Sequence, residues 1–136
     1  MNITTEQADS VTILKLAGEL DASCYKQVIA VAEQSYRGGA RDLLLDMSEL
    51  NFMSSSGLVA LHRIALIFRG EGEDESQEGW SALHAASEFV ESTPEYEKHF
   101  KLLNPQARVQ QTLMKTGFNN LLEIFTDRST ALASFK

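Results

Sequence analysis

Three consecutive hydroxyls and a glycine, Ser54-Ser55-Ser56-Gly57, are the densest group of chemistry-bearing side chains in the sequence. Ahead of them a short apolar run, Leu43-Leu44-Leu45, closes at Asp46. Behind them Leu58, Leu61, Ala65 and Phe68 recur at helical spacing. An apolar run that short, bounded by polar residues, fits a buried strand, and recurrence every three or four residues fits a helix. Met47 to Met53 between the two reads as a turn. The serines thus stand where a strand hands over to a helix, at the meeting point of free N–H groups and the positive end of the helix dipole. A hydroxyl there caps the helix or carries a phosphate, and the spacing leaves open which serine does either.

Nucleophilic catalysis would ask for more. A reactive serine needs a base within hydrogen-bond reach. His62 lies seven residues along the same helix from Ser55, about 10 Å away at the helical rise per residue. His84 and His99 fall in a later segment that spacing does not place. The GxSxG elbow is absent, and Gly38-Gly39 is an isolated pair rather than a phosphate loop. Enzymatic activity is therefore not expected, nor is a cofactor. The lone Cys24 offers neither an internal disulfide nor a thiol metal site, and it suits a reducing compartment.

Charge is unevenly spread. The net charge is −7, yet residues 70–99 hold nine of the nineteen acids and a single base, Lys98. The remainder is nearly neutral. Neither part offers the basic stripe of a nucleic-acid binder. No apolar run is long enough to span a bilayer, and the first residues lack the pattern of a signal peptide, so a cytoplasmic protein is expected. With 136 residues and 43 % apolar content, one domain with a sizeable core is expected over 1–136, carrying an insert at about 70–99.

The elements that must position the serines follow from periodicity. Residues 2–6 and 11–17 read as a β-hairpin, the second strand ending at Gly18. Asp21 or Ser23 can cap a helix running to about Arg37, with Tyr25, Val28, Ile29, Ala32 and Tyr36 on its apolar face. Strand 42–46 and the helix after the serines come next. That helix is apolar on more than one side, so part of it packs on the sheet and the rest is core or docking surface. Trp80, Leu83, Ala86 or Ser87, and Val90 suggest a short amphipathic helix inside the acidic segment. Phe100 to Leu103 reads as a strand. Asn104-Pro105 opens a helix through Lys115 with Val109, Leu113 and Met114 inward, and Gly117 closes it. Leu122 to Phe125 is a last strand, followed by a short helix from Asp127 or Ser129. The order β-β-α-β-α-insert-β-α-β-α implies an α/β fold with a mixed sheet: an antiparallel hairpin, then parallel strands joined by crossover helices. In such sheets the site usually lies beyond the strand C-termini, where the serine turn and the Glu19–Asp21 loop both belong.

The segments Leu16-Ala17-Gly18-Glu19-Leu20-Asp21 and Leu43 to Leu58 resemble the STAS domain family, the bacterial anti-sigma factor antagonists and their relatives. Leu102 to Pro105 and Thr116-Gly117-Phe118 add to the likeness, which covers roughly 2–70 and 100–136. The resemblance implies a non-catalytic regulatory protein. Its partners would be an anti-sigma factor or serine kinase-like protein of the ATPase-type kinase fold, and a phosphatase that resets the switch. Matched to the family pattern, the phosphorylated serine is Ser55, with Glu19, Asp21, Asp46, Ser54, Ser56, Gly57 and Leu58 as site or partner-binding support. Ser54 stands where the family has an acid, and the acidic insert departs from the usual compact domain. Without the switch, the same features describe a constitutive scaffold or assembly module.

Overall fold

The computed structural model describes residues 1–70, 85–86 and 95–136. Strands β1 (Asn2–Ala8) and β2 (Val11–Leu20) form the expected hairpin around Asp9-Ser10. Then follow α1 (Tyr25–Arg37), β3 (Asp42–Met53), α2 (Ser55–Phe68), β4 (Phe100–Leu103), α3 (Ala107–Thr116), a single 3-10 turn at Phe118–Asn120, β5 (Ile124–Phe125) and α4 (Arg128–Ala133). Among the described residues five strands lie side by side in chain order. β1 is antiparallel to β2, and every later pairing is parallel.

Alternation along the strands sorts the core into two layers. Leu14, Leu16, Leu20, Leu43, Leu45, Met47 and Leu102 face one way, against Val28 and Ala32 of α1, Leu61 and Ile64 of α2, and Val109 and Leu113 of α3. Val11, Ile13, Leu44 and Leu103 face the other way, under Ala131 of α4. Each such side chain taken fully from water contributes about 1.5–3 kcal/mol. Helix α2 is the centre of the first layer. Ten of its residues are buried, including Leu58, Leu61, Ile64, Ile67 and Phe68. Its all-round apolar character is therefore core, and none of those five is a docking surface. Edge-to-face contact of Tyr36 with Phe68, centroids 5.3 Å apart, holds the end of α2 to α1.

Several sequence expectations need correction. β2 does not stop at Gly18. Gly18 adopts φ 116° inside the strand, a value open to glycine, and the strand continues to Leu20. Met47 to Met53 is not a turn but the second half of β3. Against β2 it gains one extra residue between Asp46 and Glu49 and another between Leu50 and Phe52. These bulges break the two-residue period, so Met47, Leu50 and Met53 all reach the same core at intervals of three residues. Neither Asp21 nor Ser23 is the N-cap of α1; Cys24 holds that position. Asn104 takes a left-handed conformation, φ 51°, and its N–H donates to the Phe125 carbonyl. The chain turns once more before α3 starts at Ala107. On α3, Met114 points outward, 58 % exposed, because the apolar stripe runs through Val109 and Leu113.

The expectations for the run 71–78, Trp80, His84, Leu83 and Val90 in the acidic segment fall outside the described residues. Ala86 is described, and it is buried in the first core layer. At the boundaries, Arg69 of α2's C-terminus pairs with the buried Glu97 carboxylate at 2.7 Å, and His99 Nδ1 lies 2.8 Å from Asp42 Oδ1. Arg69 and Glu97 together draw the two ends of the segment to the body. Among the described residues no helix is long and apolar enough to cross a membrane.

Candidate functional site

The site grows from the paired ends of β2 and β3. Glu19 lies opposite Phe52, and Leu20 lies opposite Met53. The chain leaves β3 at Ser54, whose N–H still donates to the Leu20 carbonyl at 2.9 Å. That bond fixes the first residue of the serine turn beside the start of the Glu19–Asp21 loop. β4 has already ended at Leu103, level with Asp46, and β1 reaches only to the level of Ala17. The turn therefore stands on a two-strand projection.

Within the turn the three hydroxyls divide their work. Ser54 is the N-cap of α2: its backbone is extended, and its Oγ accepts from the Ser56 N–H at 3.2 Å. The Gly57 N–H donates to the Ser54 carbonyl at 2.9 Å. Ser55 is the first helical residue and is exposed. Among the described residues its hydroxyl has no hydrogen-bond partner, so it can meet a solvent-borne enzyme. Gly57 and Leu58 are buried, and they anchor the first turn. A Cβ on Gly57 would lie 2.3 Å from Met53 Cγ and 3.2 Å from Leu20 Cδ2. Glycine is needed here for close approach of helix to sheet, not for an unusual dihedral.

On the neighbouring loop, the Asp21 carboxylate accepts from the Ser23 backbone N–H at 2.9 Å and from the Ser23 hydroxyl. Those donors, hydroxyl first, hold the Asp21 carboxyl below its ordinary value, so it remains an anion. The Asp21 carbonyl also accepts from Cys24 and Tyr25 N–H, closing the turn into α1. Cys24 Sγ donates to the Glu19 carbonyl at 3.1 Å, and its buried position ties the loop down from below. Glu19 is exposed beside Phe52, which is 40 % exposed. The sequence reading missed Phe52. Its place in a supposed turn hid the fact that a strand holds it outward.

The structure brings Glu19, Asp21, Ser54, Ser55, Ser56, Gly57 and Leu58 to one end of the sheet. It does not bring Asp46 there. Asp46 sits in the middle of β3, opposite Lys15 and Leu103, and accepts from the Ser48 N–H at 3.0 Å. Met53 lies seven positions further along the strand, about 23 Å away at the usual rise. Its neighbour is the loop into α3, where Gln106 Nε2 donates to the Ser48 carbonyl at 2.9 Å. His62 is buried in α2, and burial above all, with Arg63 and Arg69 adding, lowers its pKa to about 4. It is a neutral core side chain. No group of histidine, cysteine and acidic residues suited to a metal occurs among the described residues.

Comparison with known proteins adds to this geometry. A model of the STAS domain matches residues 2–72. No curated protein matches the chain. Among solved structures, a Thermotoga maritima protein provisionally assigned as an anti-sigma factor antagonist is similar at TM-score 0.73 and 16 % identity, over 98 % of this chain and 93 % of that one. The anti-sigma factor antagonist SpoIIAA in its unphosphorylated form gives TM-score 0.61 and 20 % identity over 96 % and 93 %. The Bacillus cell fate determinant SpoIIAA in its phosphorylated form gives 0.58 and 18 % over 99 % and 100 %. At these identities the likeness is one of fold.

Proposed function

The chain belongs to the STAS domain family, and from that premise we infer that it is a non-catalytic regulatory protein of the anti-sigma factor antagonist kind, switched by phosphorylation of Ser55. The observation that carries this reading is the division of labour in the serine turn. Ser54 makes the cap, so the exposed Ser55 hydroxyl is free for modification. A phosphate there would add about 1.5–2 negative charges and three acceptor oxygens. The N-terminal end of α2 favours such an anion by about 0.3–1 kcal/mol, so the fold would survive the change. A partner resting apolar or acidic groups on Phe52, Glu19 and the turn would not. Each 1.4 kcal/mol of repulsion or desolvation weakens that contact tenfold. The partner in this reading is an anti-sigma factor or related kinase of the ATPase-type fold that binds the unmodified form, and a phosphatase restores it. The whole chain acts as one cytoplasmic domain.

The test is site mapping by mass spectrometry on protein taken from its native cells, beside a Ser55→Ala variant. One phosphate on Ser55, absent from the variant, is the expected result. In binding assays with the co-purified partner, Ser55→Asp should weaken the complex at least tenfold, whereas Ser55→Ala should keep it. Full occupancy of the complex with Ser55→Asp, and no phosphorylated fraction in cells, would overturn the switch and leave a constitutive assembly module.

A further inference from the structure

The second core layer has an unusual cover. Helix α4 has only six residues, and just one of them, Ala131, is fully buried. It nevertheless shields Val11, Ile13, Leu44 and Leu103. Its outer attachments are exposed ion pairs at both ends: Arg128 to Glu6 of β1, and Lys136 to Asp9 of the hairpin turn. Pairs of this kind contribute little and weaken with salt. Its inner attachments are the partly buried Leu132 and Phe135, packed against that cluster, and Lys101 of β4. The Lys101 ammonium is buried, donates to the Ser134 carbonyl at 3.1 Å and the Ser134 hydroxyl at 2.9 Å, and lies 4.8 Å from the centre of the Phe135 ring. A cation on the last carbonyls of a helix is well placed. Glu123 reaches it only at 3.7 Å.

The first layer is different in kind. It joins three helices and both long parallel strands in one contiguous cluster. Native proteins open first where few apolar contacts and exposed polar bonds hold an element. We propose that the C-terminal segment 126–136 is a releasable strap that opens as a unit while the rest of the sheet stays folded, uncovering an apolar patch and the Lys101 ammonium. The proposal is independent of Ser55. Opening exchanges the Lys101–Ser134 bonds for water and turns a sealed strand face into a surface.

Lysine acylation with an N-hydroxysuccinimide acetate reagent, read peptide by peptide, tests it together with amide hydrogen exchange on the full-length protein. Lys101 should label at least tenfold faster than global unfolding allows. Amides of Ala131 to Phe135 should exchange in step with it, while those of Leu43 to Leu45 stay protected. Arg128→Ala, a surface change that leaves the core intact, and added salt should each raise Lys101 labelling severalfold without altering Leu43–Leu45 exchange. Labelling of Lys101 only at the rate of global unfolding would overturn the proposal. So would fast labelling with the α4 amides still protected.

Discussion

Adjacent serines with one side chain formula differ in consequence because one sits a single residue earlier, at the cap rather than inside the helix. Ser54 supplies an acceptor to the Ser56 N–H, and Ser55 supplies none. Ser54→Ala should therefore cost about 1 kcal/mol of stability, the usual worth of an N-cap hydroxyl. Ser55→Ala should stay within about 0.5 kcal/mol, as exposed substitutions do. Urea unfolding midpoints of the two variants check both figures, and equal losses would mean that the cap is shared. The sequence placed the hydroxyls at a helix start correctly, because Leu58, Leu61, Ala65 and Phe68 recur at helical spacing. It left the cap open between them, since capping depends on the backbone dihedrals of a single residue. Asp46 enters the expected site through the family pattern and through its apparent place at a strand end; β3 runs on for seven more residues and leaves it away from the serine turn.

For elements, the seat of α2 on the sheet is the sensitive joint. Gly57 meets Met53 and Leu20, both buried. Gly57→Ala should cost about 1–3 kcal/mol, as overpacking of a filled core does. In a double-mutant cycle with Met53→Ala the combined loss should fall below the sum of the single losses, because the second change makes room for the first. Strict additivity in chemical denaturation would show that the contact with Met53 is not the cause. The length of β3 was the hardest element to see beforehand. Ser48, Glu49 and Asn51 interrupt its apolar pattern, and the two bulges shift Leu50 and Met53 off a regular alternation. The hairpin, α1, β4 and α4 were legible because each carries an unbroken period or an evident cap, such as Asp127, whose carboxylate accepts from the Thr130 N–H.

For the molecule as a whole, the buried His62 sets the course of stability with pH. Its folded pKa of about 4 lies below the ordinary 6.5, because burial disfavours the charged ring. Above about pH 6.5 neither the folded nor the unfolded chain protonates it, and stability is at its full value. Between the two pKa values the unfolded chain takes up a proton that the folded chain refuses, so stability falls as pH falls. The loss should reach about 3 kcal/mol near pH 4 and then level off. Denaturant midpoints between pH 7 and pH 4 should show that slope, and His62→Gln should flatten it. Asp21 and Asp127 act in a lower window. Hydrogen bonds from Ser23 and Thr130 respectively, hydroxyl first and backbone second, hold their carboxyls below the usual range. Their contribution is present above the ordinary carboxylate pKa and disappears as pH drops through the folded values.

Among the described residues, the last three residues of β2 and of β3 extend past both flanking strands, joined to each other and to no third strand. A charge set at residue 55 lands at the edge of that ledge, on the first residue of α2. The same helix runs through the larger core layer to Arg69, which grips Glu97, so a push on its first turn has a continuous path to the footing of the acidic segment.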